Sequence, residues 1–146
     1  EILSSGIAFG SYKLEKEYWC DIGTPATYLR AHMDFLGGKI RHFPIDRDKE
    51  FDRATSTFID KNSVIDSECV IKPNVTITNS VLGRGVVVEE RDVIQNSVFW
   101  SHSRISNSAE IDGAVLSRSC YIGKNCVIKP GAVLGNKSTL TDYTTI

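Results

Sequence analysis

Few side chains in this sequence of 146 residues are spaced to do chemistry together. Four cysteines stand at Cys20, Cys69, Cys120 and Cys126, with no CxxC pair and no Cys/His cluster at zinc-ligand spacing. The pattern predicts free, mostly buried thiols in a reducing compartment, not disulfides or a metal centre. Three histidines, His32, His42 and His102, could each act as a general base near neutral pH. None has the Ser/Asp or Cys/Asn partners of a nucleophilic triad. Neither a P-loop nor a GxGxxG turn is present. Asp21, just ahead of Gly23-Thr24-Pro25, has a local use for its carboxylate, which could accept the amides of Gly23 or Thr24 at the end of a strand.

Composition narrows the classes further. Hydrophobic residues make up 41% and charged residues 24% of the chain, an ordinary globular mixture of about one domain's length. The net charge of −1 offers no broad attraction for nucleic acid or an anionic membrane, so neither is expected as a main partner. No run approaches 18 apolar residues, and Glu1–Gly6 lacks both the basic segment and the apolar core of a signal peptide. The expected location is cytoplasmic. The chain also lacks an initiating Met, which suggests a piece of something longer.

The elements that must position these residues are dominated by a repeat. From Ile59 to Leu140 an aliphatic or aromatic residue heads every fifth or sixth position, and three such units sum to 17 residues wherever one is short. Asn62-Ser63-Val64-Ile65 returns as Asn79-Ser80-Val81-Leu82 and as Asn96-Ser97-Val98-Phe99, with Gly113-Ala114-Val115-Leu116 as a looser copy. Stacking at 17 aligns Ile65, Leu82, Phe99 and Leu116 on one wall, Ile71, Val88, Ile105 and Ile122 on a second, and Ile77, Ile94, Ile111 and Ile128 on a third. Such a chain turns three corners per coil and piles coil on coil about 4.8 Å apart. Four residues after each head comes a second inward position near a corner, where space is small. It is predicted to hold Cys69, Val75, Val81, Val86, Val98, Ser103, Ala109, Val115, Cys120, Cys126 and Ala132. Pro73-Asn74, Arg84-Gly85, Lys124-Asn125 and Pro130-Gly131 supply the turn chemistry. Asp92 occupies one of the small inward sites, so either that corner bulges or the carboxylate finds local backbone donors. A β-sandwich of short strands would instead alternate with period two and show hairpin turns. Spacing alone leaves the hand of the coil open.

Residues 1–38 carry no such period. Ile7–Tyr12 and Glu17–Ile22 read as strands joined by the charged turn Lys13–Lys16. A helix then starts with Thr24 as N-cap and Pro25 in its first turn, repeats Tyr28, Leu29, His32, Met33 and Leu36 at helical spacing, and stops at Gly37-Gly38. Two strands and one helix are too little for a domain of their own. Residues 39–58 read as a linker whose Ile40, Phe43, Ile45 and Phe51 pack on a neighbour.

The unit Ile122-Gly123-Lys124-Asn125-Cys126-Val127 resembles the hexapeptide repeat of left-handed parallel β-helices, and the likeness runs over residues 59–146. Tyr18-Trp19-Cys20-Asp21-Ile22-Gly23-Thr24-Pro25, followed by Tyr28, Leu29, Ala31, His32 and Leu36, resembles the end of the catalytic domain of sugar-nucleotide pyrophosphorylases. These enzymes join an NTP to a sugar 1-phosphate and release pyrophosphate, and in several branches a left-handed β-helix follows the catalytic domain. Ser97-Val98-Phe99-Trp100, Ile105 and Ala109–Leu116 look most like the mannose-1-phosphate guanylyltransferase branch. ADP-glucose pyrophosphorylases and related subunits of a translation exchange factor are close to it.

The resemblance implies a mainly all-β fold, a left-handed parallel β-helix of about five coils over 59–146, preceded by a short α/β tail of a nucleotidyltransferase domain over 1–38. The family's opening loop, G-x-G-T-R-L-x-P-L-T, which holds the triphosphate, has no counterpart here. The chain is therefore expected to be inactive alone, a C-terminal assembly and regulatory part whose partners are the missing N-terminal catalytic domain and further copies of itself. Asp21 matches the family's D-x-G-T aspartate, which implies a ligand to Mg²⁺ in the intact parent, shared with an upstream aspartate. The last coil, Leu140–Ile146, has no helix after it, and contact with another subunit would cover its edge.

Two other classes compete. Left-handed β-helices also build acyltransferases with a histidine base, but His102 sits at an outward position of a register that leaves no room for an extruded acyl-donor loop. A pure scaffold of the exchange-factor kind is weakly opposed by Asp21 and its motif. The outward Lys61, Lys72, Arg84, Arg91, Arg104, Arg118, Lys124 and Lys129 are interspersed with acids and read as a solvated surface, with a phosphate-effector site as the sharper alternative.

Overall fold

A computed structural model of the chain describes residues 10–13, 15, 17–40 and 55–146. Fifteen strands of two or three residues, from Phe58–Ile59 to Thr139–Leu140, follow one another with no helix between them. They stack into three five-stranded sheets, one per wall, in which each strand pairs with the strands three before and three after it. All the strand pairs are parallel. This excludes a hairpin-built sandwich. The register is the expected one: Ile65 lies opposite Leu82, Leu82 opposite Phe99 and Phe99 opposite Leu116, with Ile71, Val88, Ile105 and Ile122 aligned on the second wall.

The inward columns form a continuous core in which Phe99, Ile77, Ile94, Ile105 and Ile122 are fully buried. Corners make the columns possible. The residue just before an inward corner residue adopts left-handed backbone, as at Asn74 (φ 61°), Arg91 (φ 62°), Ser108 (φ 62°) and Asn125 (φ 52°). Gly85 and Gly131 serve this turn without strain, whereas His102 and Lys137 adopt it at some cost.

One set of inward assignments is corrected. Val81, Val98 and Val115 do not point inward; the small inward residues on that corner are Ser80, Ser97 and Ala114, all fully buried. The unit preceding each of these valines has five residues, not six, so its corner comes one residue sooner. Strand alternation then turns the valine outward beside its inward neighbour Leu82, Phe99 or Leu116. A second aliphatic column results, Val64, Val81, Val98, Val115 and Val133, on the outside of the first wall.

That outward column is where the helix α1 (Pro25–Leu36) lies. Val98 and Val115 remain only 2% and 7% exposed although they face away from the core, whereas Val133 is 51% exposed. Met33 receives a hydrogen bond from Asn79 Nδ2 at 3.0 Å, and Leu36 is fully buried. The N-cap is as expected: Thr24 and Thr27 satisfy each other's amides, Pro25 opens the first turn, and the helix closes at Gly37. The two expected strands are not found. Glu17–Ile22 and the described part of Ile7–Tyr12 form no strand, since the described residues offer them no partner strand. Ile7–Phe9 and Phe43, Ile45 and Phe51 of the linker lie outside the described residues.

The fold makes two tests direct. Ile105→Asp places a charge between Val88 and Ile122, where nothing can solvate it. The cost of an unpaired buried charge, several kcal/mol, rivals the whole stability of a domain, so the cooperative melt followed by circular dichroism is expected to disappear. Thiol titration of the native chain is expected to count one fast cysteine. Arg30 Nη2 lies 3.5 Å from Cys20 Sγ and lowers that thiol's pKa, whereas burial raises that of Cys120. Cys69 and Cys126 donate to the carbonyls of Gly83 and Thr141 at 3.2 and 3.1 Å. Three or four fast thiols would contradict this register.

Candidate functional site

Asp21 stands at the entry to α1 and is exposed. Its Oδ1 accepts the Gly23 amide at 2.9 Å, the local role that the sequence allows for it. This turn presents the carboxylate beside the N-terminus of a helix whose own first amides are served by Thr24. Among the described residues, no group of three or more His, Cys, Asp or Glu side chains is placed to hold a metal ion. These residues alone do not make a Mg²⁺ site.

The turn also borders a groove of about 320 Å³, lined by Ile22, Gly23, Thr24, Pro25 and Tyr28 on one side and by Trp100, Val115, Ser117 and Val133 on the other. Tyr28 and Trp100 join the sides. Trp100 Nε1 donates to Tyr28 Oη at 3.0 Å, and the rings meet edge-on with centroids 6.5 Å apart. The Arg118 guanidinium lies 5.8 Å from the centroid of the Trp100 ring. The His32 ring lies tilted against that of Tyr28, with centroids 4.4 Å apart, and its Nδ1 donates to the Tyr28 carbonyl at 3.0 Å. A second groove of about 440 Å³ between α1 and the same wall is lined by Ala31, His32, Phe35, Ile40, Val64 and Val81. Both grooves are walled mainly by aliphatic and aromatic carbon, with the Thr24 and Ser117 hydroxyls in the first lining, the His32 ring in the second and no acid in either. Such a junction can hold an element in place.

The remaining expected residues fall apart in space. His102 is exposed at a corner, its ring lying over Gly85, where a Cβ would come within 2.6 Å of Nδ1. The coil continues past it without an extruded loop, as its backbone bond to Arg84 at 2.8 Å shows. Arg84 pairs with Glu68 and Arg104 with Glu89, while Lys61, Lys72, Arg91, Lys124 and Lys129 are exposed and spread over several coils. His42 lies outside the described residues. At Asp92 the corner does not bulge: Val93 pairs in register with Thr76 and Glu110, and Asp92 Oδ1 accepts the Ala109 amide at 2.8 Å.

Sequence reasoning missed Trp100 and the valine column as the docking wall of α1. The signal was present in the valine that precedes all five heads on that wall, from Val64 to Val133.

Comparison with known proteins adds identity to this geometry. Residues 44–146 match the model of the family described as EIF2B subunit epsilon LbH domain. A glucose-1-phosphate adenylyltransferase of Corynebacterium diphtheriae is 28% identical over 136 residues, covering 86% of this chain and 30% of the relative. A probable mannose-1-phosphate guanylyltransferase 2 of Arabidopsis thaliana is 26% identical over 140 residues, covering 86% of this chain and 38% of the relative. The bifunctional protein GlmU of Synechococcus elongatus is 36% identical over 91 residues, covering 62% of this chain and 18% of the relative. The chain thus spans about a third of the length of the first of these curated relatives. Among the described residues no helix is long and apolar enough to cross a membrane. With its three-walled parallel coils and its match over 44–146, the chain belongs to the family of the EIF2B subunit epsilon LbH domain, a left-handed β-helix family.

Proposed function

We propose that this chain is the assembly and regulatory β-helix part of a cytoplasmic protein of the sugar-1-phosphate nucleotidyltransferase type, and that it transfers no nucleotide by itself. The observation that carries this reading is the seating of α1 and its Asp21 turn on the outward valine wall, held by Tyr28 and Trp100. A helix that resembles the end of a catalytic domain is thereby fastened to the solenoid, so a movement of one is felt by the other. The family likeness of Asp21 supports its giving one carboxylate to Mg²⁺ when the rest of a catalytic domain is present; bound there, the ion would neutralise charge developing on the phosphates. Within this reading GTP and mannose 1-phosphate are the favoured pair, on the Ser97–Leu116 segment, with ATP and glucose 1-phosphate as the alternative. The match to an EIF2B epsilon domain favours a second reading, a non-catalytic scaffold of the exchange-factor kind. A hexapeptide acyltransferase has no support from the exposed, unpartnered setting of His102.

Asp21→Asn in the longer protein separates the two. It keeps the turn's shape but removes one of the two carboxylate charges on a metal. Nucleotidyl transfer is expected to fall about 10²-fold or more in kcat, roughly 3 kcal/mol, with melting temperature unchanged. Wild-type turnover at limiting Mg²⁺ would refute the metal role, and no turnover in the unmutated protein with either substrate pair would leave the scaffold. Self-association through the β-helix is the second expectation. Light scattering of the chain at tens of micromolar should exceed the 16.2 kDa monomer, and a clean monomer would refute it.

A further inference from the structure

Asp92 is the one fully buried carboxylate among the described residues, and its Oδ2 has no hydrogen-bond partner. Its corner follows a rule. In the two corner columns that contain Asp92 and Ser103, polar inward side chains donate to the carbonyl three residues before the next member of the column. Thr57 donates to Lys72 O at 3.2 Å, ahead of Val75, and Cys69 to Gly83 O at 3.2 Å, ahead of Val86. Ser103 donates to Ser117 O at 3.0 Å, Cys120 to Gly135 O at 3.2 Å and Cys126 to Thr141 O at 3.1 Å. For Asp92 the next member is Ala109, and the carbonyl in that place belongs to Ser106. Ser103 also accepts the amide of the next member, Cys120, at 3.2 Å, just as Asp92 Oδ1 accepts Ala109. A neutral acid can accept on one oxygen and donate from the other, and so do both; a carboxylate has no hydrogen to give and would set its lone pairs against a carbonyl oxygen.

We propose that Asp92 is held as the neutral acid, its Oδ2 proton donated to the Ser106 carbonyl, and that loss of this proton to solvent loosens the joint between the two middle coils of the β-helix. Burial pushes the Asp92 carboxyl up to about 7, against the backbone amides that favour the charged form. The charged groups around it are Glu89, Glu90 and Arg91 on its own corner and Glu110 on the coil above, with Cys126 two coils up its column; the coil below contributes the exposed Lys72, opposite Glu89, with Pro73, Asn74 and Val75, which are not ionisable. Glu89 is ion-paired with Arg104 and adds a repulsion that also favours the neutral form. The folded pKa thus lies above the unfolded value of about 4. Between the two the native chain holds a proton that the unfolded chain lacks, so stability falls as pH rises from about 4 to about 7 and levels off above.

Melting curves of the wild-type chain and of Asp92→Asn and Asp92→Ser at pH 5.5 and 8.5 test this. Either amide or hydroxyl can accept from Ala109 and donate to Ser106 at any pH. The wild type should lose about 5 °C or more on going to pH 8.5, and the variants should lose little of it and melt above the wild type there. Parallel pH profiles for variant and wild type would overturn the proposal. Infrared spectroscopy of the wild type decides it without any variant. The carbonyl stretch of a protonated carboxylic acid should persist at pH 6, where exposed acids are ionised, and fade by pH 8.5. Its absence at pH 6 would overturn the proposal even if both variants fail to fold.

Discussion

Everything in this molecule depends on closing a triangle with one length of chain. A coil of 17 residues brings each wall's amides under the carbonyl of the residue just before the equivalent in the next coil, as in Val64 N to Ser80 O, Val81 N to Ser97 O and Val98 N to Ala114 O, each 2.9 Å. Parallel pairing then lines like side chains into columns, and the narrow interior admits one large residue per wall and one small residue per corner. Where the coil runs to 18, as from Ile59 to Ile77 or from Leu116 to Leu134, the strands still pair in register. The extra residue is taken up in the corners, whose left-handed residues permit it.

The narrow core also explains why it is not wholly apolar. A sharp corner leaves amides that no strand can satisfy, and buried amides must be satisfied. Inward hydroxyls do this by climbing the coils: Ser63 Oγ accepts the Ser80 amide, Ser80 Oγ that of Ser97 and Ser97 Oγ that of Ala114, each at 3.1 Å. Asp60 closes the lower end, taking both the amide and the hydroxyl of Ser63. The thiols of Cys69, Cys120 and Cys126 belong to the same set of short polar side chains, each donating to a carbonyl of the next coil.

The outside of the first wall turns this rod into a platform. Its valines are apolar enough to hold a helix, and the helix brings Asp21, Tyr28 and the grooves to one side of the solenoid. Relatives named for nucleotidyl transfer are similar in sequence over most of this chain, the helix and the solenoid together.

The three walls, their registers, the inward places of Cys69, Cys120 and Cys126 and the start and stop of α1 were legible in the residues, because a repeat of fixed period states its own stacking and a capped helix states its own ends. Ser80, Ser97 and Ala114 were misassigned for a physical reason: a five-residue unit shortens the corner and not the strand, and only the closed coil reveals which is shortened. The strands expected over Glu17–Ile22 failed because a strand needs a partner strand, which no local pattern supplies. Asp92 stood out in the sequence as an exception, but whether its corner bulged or held was undecidable there. Its amide donor comes from Ala109, a full coil away, and the burial that acts on its proton is made by neighbours stacked above and below. Local spacing determined which residues share a column; the environment inside the column exists only once the coils are closed.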